Sequence, residues 1–298
     1  NACPWCHRCL LAIALLGIGD RVKVVELADD AEKASRGGWI IREGARDPLF
    51  GARDLRQVYD GAAAAPGGEG FRGRCTAPLL VDGATKRVVS NNSTNIMRRL
   101  NDIAIAKGNA AGAAAVDLFP ADLAPEIEAA GAKLYTSVNN AVYQCGFSTS
   151  QSAHDEAARK LFQALDDLEA ELAGGRYLLG ERVTAADLML LPTLCRFDAC
   201  YAVLFKCACR RIRDYPNLHQ WMQRMFALPG SVEAFDADGC KRSYFQQLFP
   251  LNPSGIVPYS PSAWQDMGID PANRIPQNQA SEHLHIHNPS AATPTSAN

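Results

Sequence analysis

Two apolar periods run along the chain, and the change between them divides it. Residues 6–16 (CHRCLLAIALL) are apolar almost throughout and stop at Gly17, which predicts a helix with a glycine terminator. Val22 to Leu27 (VKVVEL) is rich in β-branched residues and predicts a strand. Leu79-Leu80-Val81 and Arg87-Val88-Val89 flank Asp82-Gly83, which predicts a hairpin turning over 82–86. Ser93 to Leu100 predicts a short helix, and residues 61–70 (GAAAAPGGEG) a flexible surface loop. The pattern is that of a small sheet covered by helices, an α/β domain over residues 1–105.

Residues 101–120 are rich in Ala and Gly and read as a linker. Beyond it the period becomes helical. Ala158, Leu161, Leu165, Leu168 and Leu172 recur at three and four residues, the apolar face of a helix that Gly174-Gly175 ends. Leu218, Trp221, Met222 and Met225 form a second stripe, ended near Pro229-Gly230. Thr184-Ala185-Ala186-Asp187 has the form of a capping box, and loss of the Thr184 cap is expected to cost about 1 kcal/mol. These features predict an all-helical domain over 120–250. Residues 251–298 are rich in Pro, Ser, Asn and Gly and read as an extended or disordered tail. The alternating histidines His283, His285 and His287 lie in that polar tail, where ordinary surface histidines are favoured over metal ligands.

Composition narrows the function classes. The net charge of −2 over 298 residues gives no basic surface for nucleic acid. No apolar run reaches the roughly 18 residues of a membrane span. Ten cysteines are present, but a chain this long and core-rich needs no disulfide framework, so reduced thiols are expected, as in cytoplasm. The chain opens on Asn1-Ala2-Cys3 without Met, so the start, with any targeting peptide and the strand expected before Cys3, reads as missing.

The candidate chemistry begins at Cys3-Pro4-Trp5-Cys6. A cysteine just before a helix, with Pro at the helix start, meets the positive end of the helix dipole, where unpaired N–H groups stabilise a thiolate. A buried cysteine pair or half a zinc site is the alternative, but zinc wants a second pair at matching spacing, and Cys207 and Cys209 are only two apart. Ala77-Pro78 precedes the Leu79 strand and predicts a cis peptide, which leaves the backbone before it free to pair with an extended peptide; an ordinary turn proline is the alternative. Ser90-Asn91-Asn92-Ser93 opens a helix whose N–H groups suit a carboxylate, unless it is a plain N-cap. Together these make a thiolate, a peptide-pairing edge and a carboxylate cradle, a site for a thiol peptide.

Longer motifs make a resemblance specific. ACPWCHR at the start, GGWIIRE at 37–43, DPLFGARDLRQVY at 47–59 and VVSNNST at 88–94 lie in the first half. LYTSVNNAVYQCGF at 134–147, RFDACYAVLFKC at 196–207, DYPNLHQWM at 214–222 and KRSYFQQLFPLNPSGIVP at 241–258 follow in the second. The chain resembles the glutathionyl-hydroquinone reductase family, the Xi class of glutathione transferases. The resemblance implies a glutathione transferase fold, with a thioredoxin-like N-terminal domain and a helical C-terminal domain, and a homodimer. It implies that Cys3 attacks the sulfur of a glutathionyl-hydroquinone, releases the hydroquinone and is cleared by a second glutathione. Glutathione is then a co-substrate, held by Trp39, by the backbone at Ala77-Pro78, and by Asn92 and Ser93 at its γ-glutamyl end. Tyr135, Tyr201 and Tyr244 are implied to line the quinone site. The family usually has Glu where Asn92 stands and often Ala where Cys6 stands. Weaker glutathione binding is therefore expected, and Cys6 is expected to be dispensable because glutathione itself resolves the adduct.

Two other readings share the same residues. A glutaredoxin-like or omega-type thioltransferase would use Cys3 on general mixed disulfides, and a non-catalytic module would leave Cys3 unreactive. The tyrosines argue for the reductase.

Overall fold

The computed structural model describes residues 2–29, 39–42, 46–66, 73–111, 113–248 and 250–289. The first helix, α1, spans Pro4–Leu16, two residues longer at its start than the apolar run, because Cys3 is its N-cap and Pro4 its first residue. Gly17 closes it in the left-handed conformation at φ 61°. Strands β1 (Leu27–Asp29) and β2 (Trp39–Ile41) pair antiparallel. The strand expected over Val22 to Leu27 therefore forms only at its last residue. Val24 is 47% exposed, and β-branched composition makes no strand where no neighbour covers it.

Helix α2 (Leu55–Ala63) is capped by Asp54 and takes in the first residues of the expected 61–70 loop, of which 67–70 lie outside the described residues. The hairpin forms as expected. Strands β3 (Leu80–Val81) and β4 (Val88–Ser90) pair, and Asp82 Oδ1 accepts from the backbone N–H groups of Ala84 and Thr85 to fix the turn.

The expected short helix at Ser93 is instead α3, Ser93–Ala111. Residues 101–111 are helix rather than linker. Alanine is the best helix former, and Ile96, Leu100 and Ala104 continue one buried face. Ala115–Val116 (β5) then pairs with Ile286–His287 (β6).

The second half is helical: α4 (Ala124–Leu134), α5 (Ala141–Gly146), α6 (Gln151–Leu172), α7 (Ala185–Arg196), α8 (Ala202–Leu204), α9 (Pro216–Ala227), α10 (Ala237–Gln247) and α11 (Ala263–Met267). Both predicted stripes face the core on α6 and α9, where Ala158 packs at the edge and the other residues are buried. The capping box is present. Thr184 Oγ1 accepts from the Ala186 N–H, and Asp187 Oδ2 accepts from the Thr184 N–H at 2.9 Å. Asp187 Oδ1 also accepts from the Trp221 indole at 2.9 Å, which ties α7 to α9. Two π-helical turns, Tyr135–Asn139 and Phe197–Tyr201, interrupt the helical run between α4 and α5 and between α7 and α8.

Residues 250–289 differ from the expected disordered tail. Ala263, Met267, Ile269, Ala280 and Leu284 are buried against the main core. Lys241 Nζ lies 2.7 Å from Asp266 and 2.6 Å from Ser260 Oγ. A few apolar anchors suffice because a larger domain already offers the surface they cover. His283 is part of this packing: its Nδ1 lies 2.6 Å from the Tyr177 hydroxyl. Among the described residues no helix is long and apolar enough to cross a membrane.

Candidate active site

Cys3 has extended backbone (φ −65°, ψ 113°), which aims its side chain back over the first turn of α1. The Cys6 N–H donates to Cys3 Sγ at 3.3 Å. Across the gap, the Ala77 carbonyl lies 3.7 Å from the same sulfur, and the Ala77-Pro78 peptide is cis as the sequence predicts. The thiol is brought down to about 7, first by a hydrogen bond from the Cys6 thiol. The Cys6 and Trp5 backbone N–H groups and the Arg196 charge add to this, and burial opposes it. Cys6 is pushed the other way, first by giving its proton to that bond and then by burial.

Arg196, at the end of α7, organises what lies behind the thiol. It is fully buried, and its Nε donates to the Ala2 carbonyl at 2.9 Å, one residue before Cys3. A second nitrogen donates to the Pro192 carbonyl at 2.7 Å and to His7 Nδ1 at 3.1 Å. A guanidinium has no acceptor, so His7 Nδ1 receives this bond and the ring is neutral, as burial also demands. Arg8 performs the matching task on the other face of α1. It donates to the Met189 carbonyl on α7 at 2.8 Å and to Ser93 Oγ at the start of α3 at 3.4 Å. Burial lowers it only to about 10, so it stays charged. The two arginines lock the helix bearing Cys3 to both domains. Neither was predicted as a site residue. The sequence signal for Arg8 is a lone Arg in an otherwise apolar helix.

The other predicted glutathione residues lie at the start of α3 and on β2. Asn92 is exposed, and its Oδ1 accepts from the Asn95 N–H at 3.1 Å, the N-cap of α3. Ser93 is buried with its hydroxyl toward Arg8. Trp39 is half-buried at the start of β2, opposite Asp29. These groups are of the kind a γ-glutamyl-cysteinyl peptide needs: a thiolate, a backbone edge and a helix N-terminus.

The predicted tyrosines fall into two places. Tyr201 and Tyr244 are buried with their hydroxyls 2.9 Å apart. The third member of that chain is Tyr143, 2.8 Å from the Tyr244 hydroxyl. Tyr135 stands apart, 49% exposed, with its ring 5.8 Å from Trp5 and so beside the mouth of the Cys3 site. Tyr143 lies in the same motif as Tyr135, eight residues on, and the motif alone did not say which phenol turns inward. Burial raises all three inner phenols, so they stay protonated and can donate. Tyr143 is near enough to Cys3 for the thiolate charge to be felt at its hydroxyl.

A thioredoxin-like half with a capped cysteine, bolted to a helical half, defines a glutathione transferase. The family model for the glutathione S-transferase N-terminal domain matches residues 2–103, and that for the C-terminal domain residues 151–224. The chain is 39% identical over 264 residues to the glutathionyl-hydroquinone reductase PcpF of Sphingobium chlorophenolicum, covering 88% of this chain and 80% of that one. It is 37% identical over 270 residues to the glutathionyl-hydroquinone reductase YqjG of Escherichia coli, covering 89% and 78%. The glutathione-bound structure of YqjG matches with a TM-score of 0.79 at 34% identity, covering 91% of this chain and 85% of that one. The Xi-class transferase of Phanerochaete chrysosporium matches with a TM-score of 0.75 at 33% identity, covering 87% of each. The chain belongs to the glutathionyl-hydroquinone reductase family, the Xi class of glutathione transferases.

Proposed function

We propose that this protein reduces glutathionyl-hydroquinones to hydroquinones with glutathione as co-substrate, through a mixed disulfide on Cys3. The observation that carries the reading is the sulfur of Cys3 held at the start of α1, with the Cys6 N–H at 3.3 Å and a thiol brought down to about 7. At neutral pH a large share of Cys3 is thiolate, the form that attacks sulfur. The attack forms the Cys3–glutathione disulfide and breaks the bond from sulfur to the ring. The electron pair passes to the ring, which takes a proton and leaves as hydroquinone. A second glutathione thiolate then attacks the bound glutathione sulfur, leaves as glutathione disulfide and restores Cys3.

Charge moves onto the ring oxygens while that bond breaks. The chain of Tyr143, Tyr244 and Tyr201 supplies protonated phenols at hydrogen-bonding distance from one another, suited to stabilise that charge. In this reading Tyr143 joins Tyr201 and Tyr244 on the hydroquinone, and Tyr135 forms part of the entrance with Trp5. Ala77, Pro78, Trp39, Asn92 and Ser93 hold glutathione. The family resemblance further supports a homodimer, and the cysteine usage suits a reducing compartment such as the cytoplasm.

The test is an intact-mass measurement after mixing the protein with a glutathionyl-hydroquinone, together with rates on that substrate and on simple glutathione mixed disulfides. The reading expects one glutathionyl group on Cys3 in the Cys6→Ala protein, which lacks the neighbouring thiol, and faster turnover of the glutathionyl-hydroquinone by the wild type. Cys3→Ser is expected to abolish reduction. Adduct on another cysteine with Cys3 untouched would overturn it, and equal or faster turnover of the simple disulfides would return the protein to the thioltransferases.

A further inference from the structure

Cys6 takes no part in the reaction above, yet its place beside Cys3 gives it a role there. Cys3 caps α1 and Cys6 lies in its first turn, with its backbone N–H donating to Cys3 Sγ at 3.3 Å. Residues three apart at the start of a helix hold their Cα atoms within the roughly 4.4–6.8 Å that a disulfide spans. Both cysteines are half-buried, so both stay within reach of a ligand entering over the helix start. The other thiols of this region are turned away. Cys9, the next cysteine along α1, is buried and donates to the Trp5 carbonyl at 3.7 Å. Cys195 is buried beneath His7 and donates to the Pro192 carbonyl at 3.5 Å.

We infer that Cys6 is a resolving thiol, which attacks the Cys3 sulfur of the glutathione adduct and closes a Cys3–Cys6 disulfide before a second glutathione arrives. The inference rests on the reading that Cys3 is the residue glutathionylated during turnover. The bond from Cys3 to the glutathione sulfur breaks as the bond from Cys6 to Cys3 forms. Glutathione leaves as a thiolate and takes up the proton that Cys6 gives up. Across the two steps the dithiol loses two electrons and the glutathionyl-hydroquinone gains them. Two further glutathione molecules restore the dithiol and leave as glutathione disulfide, so the overall stoichiometry is that of the monothiol route.

The geometry also explains why Cys6 stays silent until it is needed. In the resting site Cys6 is held protonated by its hydrogen bond to Cys3, by burial and by the Cys3 charge. Capping Cys3 with glutathione removes that charge. The thiol then has a neutral disulfide in the same helical turn where a thiolate stood. Function follows from the added branch. The first half of the reaction can release both hydroquinone and glutathione from a protein that has met no free glutathione, and the oxidised product keeps the Cys3 sulfur covered within the chain.

The test mixes the reduced full chain with an equimolar glutathionyl-hydroquinone and no free glutathione, and follows intact mass, released glutathione and the linkage within the fragment ending at Arg8. The wild type is expected to release one glutathione for each hydroquinone and to lose the mass of two hydrogens, with Cys3 joined to Cys6. Cys6→Ala and Cys6→Ser are expected to stop at the adduct of one glutathionyl group. A wild type that stops at the same stable adduct overturns the inference and leaves Cys3 as nucleophile standing. A disulfide from Cys3 to half-buried Cys75 overturns it too. Folded Cys6→Ala and wild type that both take up no glutathione on Cys3 overturn the reading of Cys3 itself, and the resolving role with it.

Discussion

Gly146 and Phe205 touch so closely that a Cβ at residue 146 would lie 2.5 Å from the Phe205 ring. The ring is fully buried. It stacks flat on Tyr201 at 4.9 Å between centroids and packs beside Tyr143 at 5.3 Å and Tyr244 at 6.1 Å. The end of α5 thus sets the position of one phenylalanine, and that phenylalanine backs all three inner tyrosines.

Gly146→Ala is therefore expected to displace Phe205 and, through it, the tyrosine chain. Overpacking of this kind costs about 1–3 kcal/mol. Thermal melting should fall, and the rate on glutathionyl-hydroquinones should fall further than glutathione binding does. A variant with the wild-type melting temperature and rate would mean that the ring yields freely and does not position the phenols.

The phenols themselves are expected to act as a set. Phe at 143 or 201 removes one of the two links of the hydrogen-bonded chain and Phe at 244 removes both, and each buried hydroxyl that loses a partner costs about 1–3 kcal/mol. Each should lower kcat on glutathionyl-hydroquinones while the Kd for glutathione alone barely moves. Tyr135→Phe keeps the ring on Trp5 and should cost least of the four. If Tyr135→Phe instead proved the most damaging and Tyr143→Phe harmless, the inner chain would be packing and the exposed phenol the working group.

Much of this site is legible in the sequence because it is local. Cys3 before Pro4, the cis Ala77-Pro78 peptide and the capping box at Thr184 each depend on a few adjacent residues, and the structure has all three. What the sequence hides is set by distant parts of the chain. Arg196 reaches Ala2 across most of the sequence, and the inward turn of Tyr143 follows a π-helical turn that no local pattern announces. The Ala/Gly-rich stretch after Leu100 misleads because composition alone does not separate a linker from an alanine helix. Ala104 lies four residues after Leu100 on the same buried face, and that spacing was the available signal. The polar tail misleads for the opposite reason, since Met267 and Leu284 bury themselves in a core built by other residues.

The pH dependence of the first step follows from the Cys3 thiol. Its pKa is lowered to about 7, and only the thiolate attacks. The rate of adduct formation is therefore expected to rise with pH through about 7 and then level off, and to fall steadily below it. The largest cause of the lowering is the hydrogen bond from the Cys6 thiol. Cys6→Ala deletes that donor, so the midpoint should move up, toward the roughly 8.5 of a free cysteine. Cys6→Ser keeps a donor and should restore part of the shift. Stopped-flow alkylation of Cys3 against pH measures both, and a midpoint that Cys6→Ala leaves in place would assign the lowering to the helix start and Arg196 alone.

The last prediction concerns Asn92, which stands where relatives of this family usually place Glu. The γ-glutamyl end of glutathione carries an ammonium as well as a carboxylate. A carboxylate side chain would bind that ammonium through a charge-assisted hydrogen bond, worth roughly 1.5–3 kcal/mol against about 1 for a neutral one. Asn92 brings no charge, and its amide oxygen already accepts from the Asn95 N–H at 3.1 Å to cap α3. That oxygen has a second lone pair, so the two tasks are compatible, but the bond to the ammonium is a neutral one. Asn92→Glu is accordingly expected to tighten glutathione binding by several-fold to about tenfold, since about 1.4 kcal/mol is a factor of ten. Two effects work against it. The residue is exposed, so water and salt weaken the new charge pair, and the gain should shrink as ionic strength rises. Glu is also a poorer N-cap than Asn, although its charge suits the positive end of the helix, so melting temperature should change little. Titration of glutathione into both proteins at low and high salt separates these terms. A tighter Kd at low salt that relaxes at high salt supports the placement, whereas unchanged or weaker binding at low salt would mean that the ammonium is held elsewhere and that the start of α3 does not receive this end of the ligand.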